Sequence, residues 1–489
     1  MILCSSKTAE DKQSRFVVPA GVNSQAWTFE APIHWNRRRL RLLCDINPPV
    51  STLPKVSETA SVAFVPMELA REGDPMFVAR SVSRTEIPNG LTPFCDGDVL
   101  MAKITPCFEN GKGGIAANLE SGIGFGSTEF HVLRPGLDID CRFLYYVTIS
   151  KPFRDVGTKM MQGAAGQQRV PTEFLLDFVL PYPSRTEQAT LSQFLDRANR
   201  RISRLIRAKR RQIELLNEQK QAIIHQAVTR GLDPDVPLKP SGIEWLGDVP
   251  AHWDEITIRH CSESLQTGPF GSQLHAHEYV SGGIPIINPS HLSGGRIVHS
   301  TDITVSPETA ERLARHRLAP GDILFARRGE LGRCGLVSDA EAGWLCGTGC
   351  IRMRPRQEVF DPEYLLLVLS SVGVADVLRL QSVGATMDNL NTSIVGQLRI
   401  PRPSIAQQRR IVEFVASETA LVDYAVDRTH QEMRLLREYR TRLIADVVTG
   451  KLDVRGVELP ELDEAGDAAW DETDDELGEG EIEDDDIDD

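Results

Sequence analysis

No stretch of this 489-residue chain approaches 18 uninterrupted apolar positions, so no transmembrane helix is expected. The opening Met1-Ile2-Leu3-Cys4-Ser5-Ser6-Lys7 is too brief and too polar for a signal peptide, and a cytoplasmic protein is the expectation. Cysteine is sparse and irregular, nine residues with no Cys-x-x-Cys spacing. An odd, unpatterned count argues against a disulfide framework. Cys334, Cys346 and Cys350, with His275 and His277 upstream, read as ordinary side chains in preference to a structural zinc site. Base is missing altogether from the last segment. Glu461 to Asp489 holds 17 acids and no Lys or Arg; taking these from the total of 69 acids leaves 52 against 54 bases. The net charge of −15 therefore hides a mildly basic body, followed by an acidic tail expected to be disordered.

Catalytic signatures are also wanting. Asn47-Pro48-Pro49-Val50 comes within one residue of the Asn-Pro-Pro-aromatic element that grips a flipped base, but the aromatic wall is missing, and a proline turn is the simpler reading. Gly111-Lys112-Gly113-Gly114 lacks the spacing and the Ser/Thr of a phosphate loop. Asp463-Glu464-Ala465-Gly466 lies in the acidic tail, away from any fold that a helicase box requires. No convincing catalytic constellation remains.

What is present is a repeat. Leu180-Pro181-Tyr182-Pro183-Ser184 returns 220 positions later as Ile400-Pro401-Arg402-Pro403-Ser404, Glu187-Gln188 as Gln407-Gln408, Phe194 as Phe414, Leu215-Leu216-Asn217-Glu218 as Leu435-Leu436-Arg437-Glu438, and Val228-Thr229 as Val448-Thr449. No gap is needed. The copies agree at apolar positions stepping by four and three: Leu191, Leu195, Ala198, Ile202, Leu205, Leu216 and Ile223, against Ile411, Val415, Val422, Leu436 and Leu443. This is the pattern of a coiled-coil seam. Ser184 and Ser404 suit N-caps, Gly231 and Gly450 suit C-terminal stops, and each helix would span about 60 Å at 1.5 Å per residue. Each copy needs a partner of equal length, and the nearest is the other copy.

A globular region precedes each helix. Pro32-Ile33-His34-Trp35 leads into the first and Pro250-Ala251-His252-Trp253 into the second. Both carry Gly-Asp before a short apolar run that ends in a base, Gly97-Asp98 to Lys103 and Gly321-Asp322 to Arg327, and both carry a later run ending in Arg-Pro, at Pro135 and Pro355. Short runs with frequent glycines imply α+β domains. The expected organisation is an irregular arm (1–30), a first domain (31–182), a long helix (183–232), a linker and lead-in (233–253), a second domain (254–402), a second long helix (403–455) and the acidic tail (456–489). The first helix has a basic face, Arg197, Arg200, Arg201, Arg204, Arg207, Lys209, Arg210 and Arg211, with no acid in the span. Such a density points to phosphate or an acidic partner helix.

Two such domains, each leading into one of two repeated helices, resemble the DNA specificity subunit of Type I restriction-modification systems. The resemblance rests on Gly268-Pro269-Phe270-Gly271-Ser272-Gln273-Leu274, on Gly283-Ile284-Pro285-Ile286-Ile287, on Gly321-Asp322-Ile323-Leu324 with Arg327-Arg328-Gly329, and on the Pro-x-Pro-Ser starts of the helices. The exits Thr229-Arg230-Gly231-Leu232-Asp233 and Thr449-Gly450-Lys451-Leu452-Asp453 fit the same pattern. It implies two target-recognition domains reading a bipartite site in double-stranded DNA. It also implies antiparallel helices that act as a ruler and dock two methyltransferase subunits, with restriction motor subunits in the full complex. The chain itself would be non-catalytic and carry no cofactor or metal, S-adenosylmethionine and ATP being expected on the partners. Polar loop residues are then the candidate DNA contacts: Lys103, Lys112, Gln167, Gln168 and Arg169 in the first domain, Gln273, Arg327, Arg328 and Arg333 in the second. The rival reading is a coiled-coil scaffold with two protein- or carbohydrate-binding domains. The shortened first lead-in, the Gln407-Gln408 pair and the acidic tail depart from the family pattern.

Overall fold

The computed structural model describes residues 31–70, 80–164, 166–270, 273–298, 303–328, 332–382 and 390–457, so the N-terminal arm and the acidic tail fall outside the described residues. The chain divides into two compact units, Met1–Ala208 with Glu432–Asp489, and Lys209–Gln431.

Unit 1 runs β1 (Asn36–Arg39), β2 (Cys44–Ile46), β3 (Ser61–Val65), β4 (Arg80–Ser83), β5 (Thr92–Cys95), β6 (Val99–Ala102), β7 (Gly113–Ile115), β8 (Ile123–Gly126), β9 (Phe130–Pro135), α1 (Cys141–Ile149), α2 (Lys151–Lys159), α3 (Thr172–Asp177), β10 (Val179–Tyr182) and the start of α4 (Arg185–Arg230). One antiparallel sheet has the order β2-β9-β6-β7. A second has β4-β3-β8-β5, with β3 and β8 parallel. β1 pairs with β10 and straps the domain to the helix start.

Unit 2 continues with β11 (Leu238–Pro240), β12 (Asp248–Pro250), β13 (Asp254–Thr257), α5 (Ile258–Cys261), β14 (Ser262–Thr267), β15 (Tyr279–Val280), β16 (Ile284–Ile287), β17 (Leu292–Ser293), β18 (Arg296–Ile297), β19 (Thr304–Val305), α6 (Pro307–Arg312), β20 (Ile323–Ala326), β21 (Cys334–Leu336), β22 (Leu345–Cys346), β23 (Cys350–Pro355), α7 (Pro362–Leu369), α8 (Val372–Ser382), α9 (Thr392–Gln397), β24 (Arg399–Arg402) and α10 (Ile405–Val448). Its first sheet repeats the plan, β14-β23-β20-β21 antiparallel, and β13 is strapped to β24; its second, β15-β19-β16-β22, keeps a parallel pair, β16 and β22, but carries it at the edge, not in the middle. The fold is thus α+β written twice.

The recurring sequence motifs find each other in space. Buried Asp98 accepts from Arg134 Nε and Nη2, both at 2.8 Å, and from the Cys95 N–H. Asp322 accepts from Arg354 Nε and Nη2 at 2.7 and 2.8 Å and from the Ala319 N–H. Gly-Asp and Arg-Pro are therefore two ends of one bidentate pair, joining the turn before the central strand to its neighbour. Buried Gln188 donates to the carbonyls of Asp138 and Pro183 and accepts from Asp140 N–H. Gln408 does the same with Val359, Pro403 and Asp361. Asp140 and Asp361 in turn cap α1 and α7. Each long helix is thereby pinned to its own domain.

The helices pair antiparallel. In unit 2 the last turns of α4 (Ile224, Ala227, Val228) share a core with the first turns of α10 (Ile411, Val415), and Lys220 donates to Asp423 at 2.5 Å. In unit 1, Gly450 beyond α10 lies against Pro32 and Trp35, while Trp35 Nε1 donates to Glu187 of α4 at 3.2 Å. Gly231 and Gly450 sit at φ of +75° and +73°, left-handed stops that a Cβ would strain. Each exit meets the Trp of a lead-in, Gly231 against Trp253 and Gly450 against Trp35. Leu191, Leu195, Ile202, Ile411, Val415, Val422 and Leu443 are buried, and Leu216, Ile223 and Leu436 are half-buried. Leu205 departs from the expected seam: it is exposed, and Ile206 occupies the buried position.

Candidate nucleic-acid interface

In unit 1 the predicted loop residues converge at one end of the central strands. β6 delivers Lys103, whose N–H donates to the Glu129 carbonyl and whose carbonyl accepts from Val170 N–H. The 103–112 loop returns into β7 through Lys112, whose carbonyl accepts from Ala102 N–H. The 162–170 loop is stitched alongside, since Thr105 N–H donates to the Gln168 carbonyl at 3.0 Å and Arg169 bridges to Ile104. Lys103, Lys112, Gln168 and Arg169 are thus brought together, with Gln167 exposed beside them. Arg169 is not an idle guanidinium: its Nε and Nη2 grip Glu129 at 2.9 Å each, which holds that carboxyl below its ordinary range.

Beside these loops lies a cleft of about 270 Å³ lined by Asn47, Thr92, Lys103, His131 and Thr172. Asn47 stands at φ 51°, a left-handed position that Asn tolerates. Its Oδ1 accepts from Val132 N–H at 2.9 Å and its Nδ2 donates to His131 Nδ1 at 3.1 Å. His131 Nε2 donates to the Val170 carbonyl at 2.9 Å, and burial pushes its pKa down. The Asn-Pro-Pro motif is therefore a turn that plugs into β9, not a base clamp.

Unit 2 places the equivalent loops at the same ends of β14, β20 and β23, but uses them differently. Arg327 follows β20 as Lys103 follows β6, yet it is only 9% exposed. Its Nε donates to the Leu390 carbonyl at 2.9 Å and its guanidinium lies 5.8 Å from the Phe270 ring centre. Burial lowers its pKa, and it is a strut under the surface, not a presented reader. Arg328 and Arg333 are exposed, and Gln273 is half-exposed. Two residues were missed in sequence: Arg315, whose Nη2 donates to Gln273 Oε1 at 3.2 Å, and buried Arg352, which holds the Arg315 and Arg317 carbonyls. An arginine in the apolar-looking run Cys350 to Pro355 was the only available signal.

Cys334, Cys346 and Cys350 are buried free thiols, the first two pushed up to about 12 by desolvation. Among the described residues no cluster of His, Cys, Asp or Glu is arranged to hold a metal, and no helix is long and apolar enough to cross a membrane. The basic run on α4 is largely at the surface, with Arg211 paired to Glu214 at 2.8 Å. Outward on the helices stand Leu205 and Leu215 of α4 and Phe414, Leu421, Tyr424, Leu435 and Tyr439 of α10, all exposed.

Residues 252–422 match the family described as Type I restriction modification DNA specificity domain. Among curated relatives, the Type I restriction enzyme EcoEI specificity subunit of Escherichia coli is 36% identical over 165 residues, 33% of this chain and 27% of that protein. The MjaVIII specificity subunit of Methanocaldococcus jannaschii is 20% identical over 323 residues, 65% of this chain and 72% of that one. The chain thus spans little more than a quarter of the length of the Escherichia coli relative. A structure solved in work on complex assembly and conformational transition of the type I R-M system aligns with a TM-score of 0.59 at 16% identity, covering 87% of this chain and 100% of that one, a likeness of fold.

Proposed function

Because residues 252–422 match the Type I restriction modification DNA specificity domain, we propose that the whole chain is the sequence-reading subunit of such a system. Its two α+β domains each read one half of a bipartite site in double-stranded DNA. Its paired helices dock methyltransferase subunits and, through them, restriction subunits. In this reading the chain performs no chemistry, and S-adenosylmethionine and ATP belong to the partners.

The observation that carries the proposal is the duplicated frame. The same order in the first four-stranded sheet, a parallel pair in the second, the same Asp-Arg clamp and the same buried glutamine recur in both units. The loops at the equivalent strand ends nevertheless differ, Lys103, Gln168 and Arg169 against Gln273, Arg328 and Arg333. A fixed scaffold with divergent polar loops suits two readers of different words, with Lys and Arg on phosphate and amide or guanidinium groups on base edges.

The test is co-expression of the full chain with candidate adenine methyltransferases and mapping of methylated adenines in the host genome. A two-part motif with a fixed gap is expected, and methylation without a two-part motif would overturn the reading. Removing about one turn from both helices is expected to change the gap and leave both words intact.

A further inference from the structure

One side chain in unit 2 has the sense of its hydrogen bonding fixed by its neighbours. Gln273 closes a turn in which its backbone N–H donates to the Phe270 carbonyl at 2.7 Å. Its side-chain Oε1 accepts from Phe270 N–H at 3.3 Å and from Arg315 Nη2 at 3.2 Å. Both partners are donors only, so the amide cannot be turned over. The oxygen is spoken for, and the NH2 group keeps two hydrogens with no acceptor among the described residues.

The guanidinium that imposes this orientation is itself held. Arg315 Nε donates to His316 Nε2 at 2.9 Å, and buried Arg352 donates to the carbonyls of Arg315 and Arg317 at 3.2 and 2.7 Å. Exposed Arg328 follows the Arg327 strut on which the Phe270 ring rests, so the turn belongs to the polar face already described.

We propose that Gln273 is a specificity-determining residue that offers a DNA base edge donors alone, and so selects guanine over adenine at its position. A free glutamine pairs with adenine by accepting from N6 while donating to N7. Gln273 has no oxygen left for N6, whereas guanine presents N7 and O6, two acceptors side by side in the major groove. The inference rests on the DNA-reading assignment above and adds which base chemistry this residue takes.

The test uses the full chain co-expressed with its methyltransferase partner, acting on a library of duplexes with randomised positions. Gln273→Glu keeps an oxygen for Arg315 and Phe270 N–H but removes both donors, and is expected to lower methylation of the preferred duplex about tenfold, with one guanine lost from the motif. Arg315→Ala frees the oxygen and is expected to admit adenine at that same position. Replacing that guanine by 7-deazaguanine should cost the wild-type chain a similar factor and the Glu variant nothing. An unchanged motif in both variants overturns the proposal, as does a uniform loss over all sequences with a shallower salt dependence, the mark of a phosphate contact. A wild-type chain that yields no two-part motif instead removes the DNA-reading assignment, and this proposal with it.

Discussion

Replacing Asp322 by Ala should be among the costliest single changes in unit 2. Asp322 is 1% exposed and accepts three hydrogen bonds, two from Arg354 and one from Ala319 N–H, all within 2.8 Å. Deleting one member of a buried ion pair costs about 3–5 kcal/mol, because the partner charge is stranded. Arg354 is 34% exposed at its side chain, so water recovers part of that loss, and we expect about 3 kcal/mol. With a urea slope of about 2–3 kcal/mol/M for a unit of this size, the midpoint should fall by about 1–1.5 M. Fluorescence of Trp245, Trp253 and Trp344, all in unit 2, follows the transition. Asp322→Asn keeps the shape and one acceptor and should lose about half as much. The double variant Asp322→Leu with Arg354→Met removes both charges together and should recover to within about 1 kcal/mol of the wild type. The reasoning fails if the Ala variant loses less than about 1 kcal/mol, or if the double variant loses the sum of the singles.

Three further outcomes follow from named contacts. Glu187 accepts from both His34 and Trp35, whereas Gln407, its counterpart, reaches His252 and leaves the buried Trp253 indole N–H without a partner, so Gln407→Glu should raise stability by about 1 kcal/mol in a melting experiment. Burial lowers the pKa of both His131 and His316 below 6.5, the latter to about 4. The unfolded chain therefore binds protons first on acidification, and the contribution present above pH 6.5 is lost towards pH 4, about 2 kcal/mol for His316 with water near Arg315 allowed for; a melting temperature indifferent to pH over that window would refute it. Leu421→Glu with Tyr424→Glu, on the outward face of α10, should weaken co-purification with a methyltransferase partner at least tenfold while leaving the melting temperature within about 2 °C, and undiminished co-purification would remove that face from the proposed docking surface.

Much of the fold was legible because duplication exposes what packing requires. Gly-Asp and Arg-Pro recurred in both halves, and they recur because they bind each other. The seam was read less well. A strict seven-residue step from Leu191 reaches Ala198 and Leu205, whose exposures climb from 2% to 8% to 50%, because a nearly straight helix drifts about 20° per heptad. An eleven-residue step follows the buried face better, from Leu191 to Ile202 and from Leu195 to Ile206. The loops were harder again. Sequence gives the polarity of Arg327 and Arg328 but not which is a strut and which faces water, since that depends on the Leu390 carbonyl 63 positions away.

The meeting of Gly450 with Trp35 also governs the order in which this molecule is made. Unit 2 is complete in the nascent chain once Gln431 has left the ribosome, whereas the first strands of unit 1 meet β9 and β10 early and only the lead-in waits for the far end of α10. At about 5–20 residues per second, the 415 positions between those two residues take about 20–80 s to synthesise. For that interval Trp35 rests on Phe143 and Glu187 but lacks its Gly450 cover, so the amino-terminal domain gains its closing contact last.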